Sequence, residues 1–270
     1  MRKYFHFILI CAVYYNCTTN RAELVLLGTV HDPVENFNAD SLYNILTKIK
    51  PDLILFEVDS SFFTKAFEFK KTWDSNENVA TIRYMNNFEV DIRPYEFTGR
   101  NKYRIKIGSR PTDNKATQLL DSLYSNNLLS PLDEKTYNDY LRVNDSLISR
   151  AYLGANSFNS LKTDRIAQKR QGYQYKKLLD IMRNYPIFQN TYYIKHTGDS
   201  ICYLEGYKKA AEFWDLRNQT MANNIFHFIR EYKGKKIVVL NGFFHRYYLN
   251  AIIRPKQNEL NFTVKEFYDY

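Results

Sequence analysis

Leu24–Leu27 is an unbroken apolar run that ends in Gly28-Thr29-Val30-His31. Such a run, closed by Gly, reads as a strand buried on both faces that enters a tight turn. The figure returns near the other end, where Ile237–Leu240 leads through Asn241 into Gly242-Phe243-Phe244-His245. Leu53–Phe56 is a third run, closed by Glu57. Phe88–Tyr95 alternates well enough for another strand, and Asn261–Phe267 for a last one. Between the first two strands, Leu42, Ile45, Leu46 and Ile49 form a helical stripe over Asp40–Lys50, which Pro51 breaks. Strand, helix and strand in succession predict parallel pairing, with Glu57 beside His31 at one sheet edge.

Short helices are expected over Ser60–Lys71 and Glu77–Asn86. From about residue 115 to 230 the pattern offers no strand. It offers long polar helices around Asp133–Tyr152, Ser160–Tyr185 and Ser200–Tyr232, the first opened by Ser130 as cap and Pro131 at its first position. The expected architecture is α/β: a mainly parallel central sheet flanked by helices, in a single domain over 17–270. The helices of about 115–230 would form a cap inserted before the last strands.

In an open parallel sheet, ligands bind beyond the carboxyl ends of the strands. The two Gly-x-x-His figures would put His31 and His245 there, with Glu57 between them in function. The chain has 9 Gly and 5 His, for which chance placement gives roughly 0.2 such matches. The two are therefore treated as one feature. Two imidazoles and a carboxylate can hold a metal ion with a position open for water, or the acid can itself activate water. Arg217 offers a fixed fork of donors for an oxyanion or carboxylate. The strand near residue 90 would bring Glu96, Arg100 and Asn101 to the same rim.

Composition narrows the field. Aromatic residues make up 16% of the chain, mostly Tyr and Phe, enough to line a core or a cleft. The net charge of +9 is dispersed and accompanies no nucleic-acid motif, so an anionic lipid or substrate suits it better than nucleic acid. No Gly-x-Ser-x-Gly elbow is present, which argues against a serine α/β-hydrolase. Cys202 has no adjacent His, and His196 and His227 stand in no motif.

The first 16 residues form a separate unit, with basic Arg2-Lys3 followed by mainly apolar Tyr4–Tyr15. They read as a secretory signal rather than a membrane span. Their end at Asn16-Cys17-Thr18 resembles a bacterial lipoprotein signal, with Cys17 as the lipidated mature terminus. Loss of Arg2 and Lys3 would lower the charge from +9 to +7, and acylation of Cys17 would leave Cys202 without a disulfide partner.

Taken together, Gly28 and His31, Glu57, Arg217-Asn218-x-x-Met221, and Gly242 and His245 resemble the Tiki/TraB superfamily. That group includes erythromycin esterases and ChaN-like haem-binding lipoproteins. Two positions depart from its pattern: Leu216 stands where a Glu often precedes the Arg, and Phe243-Phe244 replace small residues before the last His. The resemblance implies an erythromycin esterase/ChaN-like fold. It implies an envelope hydrolase that cleaves a peptide, ester or amide bond with water activated at His31, Glu57 and His245. A divalent metal (Zn, Mn or Co) held by those three residues is one form of that site; His and Glu without metal is another. Arg217 joins the catalytic set, with Glu96, Arg100, Asn101 and Asn218 toward a small-molecule or peptide substrate. The alternatives are a lipoprotein that binds haem or another small ligand, and a non-catalytic member. The expected location is the bacterial cell envelope, lipid-anchored or secreted. Mass spectrometry of the native protein should show residues 1–16 missing and acyl mass added at Cys17; an intact Met1 would remove the envelope argument.

Overall fold

The computed structural model describes residues 21–270, His196 excepted; the signal segment and Cys17 lie outside the described residues. Five strands form one parallel sheet: β1 (Ala22–Thr29), β2 (Leu53–Phe56), β3 (Asp91–Pro94), β6 (Lys236–Gly242) and β7 (Phe262–Lys265). Two short antiparallel strands, β4 (Tyr192–Ile194) and β5 (Ser200–Cys202), form a separate hairpin. The helices are α1 (Ala39–Ile49), α2 (Asn76–Asn87), α3 (Arg100–Ile107), α4 (Thr112–Ser125), α5 (Pro131–Ala151) and α6 (Ala155–Phe158). They continue with α7 (Leu161–Gly172), α8 (Leu178–Arg183), α9 (Ile187–Asn190), α10 (Tyr203–Glu231) and α11 (Phe243–Ile253).

The sheet order is β3-β2-β6-β1-β7. The strands are parallel as expected, but β1 and β2 are not neighbours. β6 lies between them, pairing Leu24 with Ile237 on one side and Leu53 with Ile237 on the other. Its Ile-Val-Val-Leu run is apolar on both faces, which suits the position where both edges are paired and both faces covered. One face of the sheet presents Val25, Leu27, Ile54, Phe56, Val238 and Leu240 to α1 and α2. The other presents Leu24, Leu26, Leu53, Leu55, Ile237 and Val239 to the α10 residues Met221, Ala222, Ile225 and Ile229. The two faces follow the alternation of side chains along each strand.

Local chemistry explains the helix starts. Asn38 caps α1 in a capping box with Ser41, Ser75 caps α2, and Ser130 with Pro131 opens α5. Four details differ from the sequence pattern. The 115–230 stretch does contain strands, because β4 and β5 are three residues each, too short to show a period of two. The helix expected from Ser200 therefore begins at Tyr203. Ser60–Lys71 is not a helix beyond a turn at Ser60–Phe62, since its aromatic residues pack among themselves and on the sheet. Phe69 sits 5.1 Å from Phe56 and 5.6 Å from Trp73, ring to ring. The helix expected over 160–185 is α7 and α8 joined by a wider turn at Tyr173–Lys177.

Between β3 and β6 the helices have an apolar core of their own, built from Ala116, Leu120, Leu178, Met182, Phe188 and Tyr207. Buried Arg246 ties this part to the sheet: it donates to Asp164 Oδ2 (2.6 Å), Glu266 Oε2 (2.5 Å) and the Leu26 carbonyl (3.2 Å).

The first motif glycine has a packing reason. A Cβ on Gly28 would lie 3.0 Å from Phe243 Cβ and 3.1 Å from both Phe243 Cα and Asn159 Oδ1. The Asn159 amide meanwhile brackets the Gly28 peptide, at 2.7 Å to its N–H and 3.0 Å to its carbonyl. Gly28→Ala should thus lower stability by about 1–3 kcal/mol. A fall in the urea midpoint with an unchanged slope would report it.

Candidate functional site

Register puts three motif residues together. Thr29, the last residue of β1, pairs with Gly242, the last of β6, and Phe56 ends β2 opposite Leu240. His31 and Glu57 therefore emerge on either side of the β6 terminus. His245 follows one turn later, buried inside α11 rather than in an open loop. Gly242 is where they meet: a Cβ there would lie 3.7 Å from His31 Nε2, 3.8 Å from Glu57 Oε2 and 3.9 Å from His245 Cδ2.

Arg217, on α10, holds the cluster from the far side. Its Nη2 donates to Glu57 Oε1 at 2.6 Å and also to Glu96 Oε2. Nε donates to both Glu96 oxygens at 2.9 and 3.0 Å, and Nη1 to His245 Nε2 at 2.8 Å. Arg100 adds a second cation on Glu96 at 3.0 Å. The other Glu57 oxygen accepts the Gly242 N–H at 2.7 Å. Two arginines thus stand against two carboxylates.

The bonding assigns the His245 tautomer. Asn218 Oδ1 is an acceptor at 2.7 Å from Nδ1, so Nδ1 carries the hydrogen and Nε2 presents its lone pair to Arg217. Burial first, and then the Arg217 charge, push the His245 pKa well down. It is a neutral ring, stacked in addition against Trp214 at 4.4 Å and 20°. Burial raises the Glu57 pKa, the neighbouring Arg217 works against that, Glu96 adds to it, and the net is upward. Burial would lower the Arg217 pKa, but Glu57 and Glu96 outweigh it and raise it.

His31 is differently placed. Its side chain is 64% exposed, and its Nδ1 lies 2.9 Å from Glu77 Oε1. Asn76 fixes the turn by bonding the His31, Val30 and Asp32 carbonyls at 2.8, 2.8 and 3.1 Å. The Glu77 hydrogen bond lifts the His31 pKa to about 9, so the ring is an imidazolium at neutral pH with Nε2 toward Gly242.

Of the substrate-side candidates, Glu96 is buried against Arg217 and Arg100 pairs with it. Asn101 lines a 510 Å³ cleft with Arg100, Ser60, Ser61 and Lys102. Asn218 is fully buried behind His245, its amide N–H bound to the Trp214 carbonyl, so it orients the ring and is closed to a substrate. Glu57 and Val58 also line a smaller cavity of 120 Å³ together with His31, Glu77, Trp73 and Asn241. A third cleft, of 650 Å³, lies toward Tyr175, Trp214, Tyr247 and Tyr248, with Lys176, Arg183, Lys208, Glu212 and Asp215 also in its walls.

The donors do not form a metal cage. Glu57 Oε1 and His245 Nε2 are 3.6 Å apart, but the Arg217 guanidinium bonds both. A divalent ion there would sit against a fixed positive charge. Among the described residues, no group of three or more His, Cys, Asp or Glu side chains could hold a metal ion.

Glu77, Trp214 and Asn241 escaped the sequence reading. Glu77 meets His31 across 46 residues, and no local pattern reports such a pairing. Trp214 could have been found, because 214, 217, 218 and 221 share one helical face. No family model, curated protein or solved structure matches the chain.

The His31–Glu77 pair implies a pH signature. With a folded pKa of about 9 above the ordinary 6.5, His31 stabilises the fold fully below pH 6.5. That contribution is lost as pH rises from 6.5 through 9. Glu77, whose pKa is lowered from 4.5 by His31 against the effect of burial, contributes above 4.5 and loses its share in acid. Histidine-detected NMR should find His31 titrating near 9 in the parent and at lower pH in Glu77→Gln. The parent should also lose stability relative to that variant between pH 6.5 and 9.

Proposed function

We propose that the protein is a hydrolase of a peptide, ester or amide bond, working by general acid–base catalysis with Glu57 as base and His31 as acid. The observation that carries the reading is the meeting of these two groups across Gly242. One is a buried carboxylate with raised proton affinity, the other an imidazole that keeps its proton to about 9. Titratable groups tuned by their surroundings and set about one small space identify acid and base. A water molecule in the space beside Gly242 gives its proton to Glu57 as its oxygen attacks the carbonyl carbon. The His31 Nε2–H then donates to the leaving nitrogen or oxygen as the bond to it breaks. Atoms balance as one water consumed, one acid and one amine or alcohol released, and the Glu57 proton returns to His31 through solvent.

The other residues position these two. Arg217 pins Glu57 and sets a fixed positive charge near the developing oxyanion. His245 and Asn218 hold Arg217 from behind, so the second motif histidine orients the arginine and does not itself move a proton. The mechanism needs no metal, in keeping with the form of the Tiki/TraB resemblance that relies on His and Glu alone. Membership of that superfamily and attachment to the cell envelope belong to the same proposal. Among the described residues no helix is long and apolar enough to cross a membrane; the attachment proposed here is through Cys17.

Against a panel of aryl esters and anilides, Glu57→Gln and His31→Ala should each lower kcat about 10²–10⁴-fold. Both should also lower Tm, because each takes a partner from the buried Arg217 or Glu77, so kcat is read well below the unfolding transition. Gly242→Ala should lower kcat likewise with little change in Tm, since its methyl meets only ordinary contacts at 3.7–3.9 Å yet fills the space between the three side chains. The pH profile of kcat/KM should fall on the alkaline side near 9, and Glu77→Gln should move that limb to lower pH. Full activity in Glu57→Gln would sink the assignment.

A further inference from the structure

All strands of the parallel sheet start at one edge and end at the other, where the site lies. The starting edge is basic. Lys48 and Lys50 stand at the end of α1, Arg230 stands in the last turn of α10, and Lys233, Lys235 and Lys236 lead into β6. Hydrogen bonds join the two segments into one surface. Lys235 Nζ and the Lys236 N–H both donate to Asp52, at 3.1 and 2.8 Å, and Lys236 Nζ reaches the Ile49 carbonyl at 3.3 Å. Beside them opens a 640 Å³ cleft lined by Arg230, Lys233, Lys235, Glu259, Leu260 and Asn261.

The acids of this edge are mostly engaged elsewhere. Asp52 is held by Lys235, and Asp91 accepts from the Tyr232 hydroxyl at 2.6 Å. Glu231 lies 3.5 Å from His227, and Glu259 pairs with Lys256 at 2.6 Å. Glu89, just before β3, is the one exposed acid without such a partner among the described residues. Against it stand Lys48, Lys50, Arg230 and Lys233, all exposed and none in an ion pair among the described residues. A helix C-terminus favours a cation in its last turn, which accounts for Lys48 and Arg230. It does not account for Lys233, which lies beyond α10, so the edge carries positive charge that the fold itself does not use.

The chain enters the fold at the same place. The Ala22 N–H donates to the Asn261 carbonyl at 3.3 Å, and the Glu23 N–H to the Lys235 carbonyl at 2.9 Å. From Cys17 to Ala22 the chain can reach at most about 18 Å, however it runs. We propose that this edge docks on the anionic headgroups of a bilayer, with Lys50, Arg230 and Lys233 against lipid phosphate and an acylated Cys17 inserted beside them. A lipid anchor and a basic patch together give the stable attachment that a single acyl chain lacks. The eight residues of β1 alone span about 26 Å, so the docked molecule turns its site away from the bilayer, toward substrates dissolved in water. The anchor rests on the reading of Cys17 as a lipidated terminus; the docking edge rests on its own charge.

Flotation of the full chain carrying Cys17→Ser, which cannot be acylated there, tests the edge apart from the anchor. The probes are vesicles of phosphatidylcholine alone and of phosphatidylcholine and phosphatidylglycerol in equal parts. The chain should prefer the mixed vesicles, and about 1 M salt, which shortens screening to about 3 Å, should abolish the preference. Adding Lys50→Gln, Arg230→Gln and Lys233→Gln together should weaken binding to the mixed vesicles about 100-fold, roughly fivefold per cation, with Tm and binding to phosphatidylcholine unchanged. Replacing Lys135, Lys162 and Lys177 by Gln instead, exposed lysines between β3 and β6, should change little. Equal loss from the two triple variants would reduce the effect to net charge and overturn the docking edge, as would equal binding to both vesicles. Mass spectrometry of the chain with Cys17 intact separates the two parts. Acyl mass there without a preference for anionic vesicles would keep the anchor and overturn the edge. No acyl mass, with the edge-dependent preference retained, would uphold the edge and overturn the anchor.

Discussion

One guanidinium organises the site. Arg217 joins Glu57 from the end of β2, Glu96 from beyond β3 and His245 from α11, so three elements far apart in the chain meet on one side chain. Two carboxylates this close could not both remain ionised in a buried setting without it. The arginine likewise could not be buried without them, because desolvation of an unpaired charge outweighs what packing returns. The cluster is therefore stable only as a whole. Its stability depends on α10 lying flat on the sheet, where Met221, Ala222 and Ile225 fasten it one turn beyond the arginine.

The fold was largely legible because its three central strands, β2, β6 and β1, carry continuous apolar runs, the simplest signal a chain can carry. The two Gly-x-x-His figures and the Leu-Ile-Leu-Phe-Glu run pointed to one sheet edge, and their side chains do lie together there. The order of the strands was not legible. Nothing in the sequence marks β6 for the place between β1 and β2, since that depends on which strand can be covered on every side. Very short strands such as β4 and β5 leave no periodic trace either.

Within the cluster, spacing named the residues more readily than their tasks. The paired histidines look alike in sequence but differ in surroundings. His31 is open to solvent and bonded to a carboxylate, whereas His245 is enclosed and bonded to a cation. Their proton affinities move in opposite directions as a result. The departure at Leu216 also becomes intelligible. Its side chain is 39% exposed, on a different side of α10 from Arg217, and the acids that Arg217 needs come from Glu57 and Glu96.

The crossing order of the sheet also bears on how the molecule assembles. β1 finds its hydrogen-bonding partners only in β6 and β7, at the opposite end of the chain, and β2 has one edge filled by β6. As the chain leaves the ribosome, the first strand has no neighbour to pair with for some 200 residues, because its register partner to Glu23 is Lys236. Contacts of such separation are slow to close, and unpaired apolar strands are prone to associate with other chains meanwhile. The polar helices made in between are largely local in their contacts and can form while β1 and β2 wait. The central strand, arriving late, joins β1 to β2 and delivers Gly242 and His245 together, so the step that unites the two halves of the sheet is also the one that builds the site.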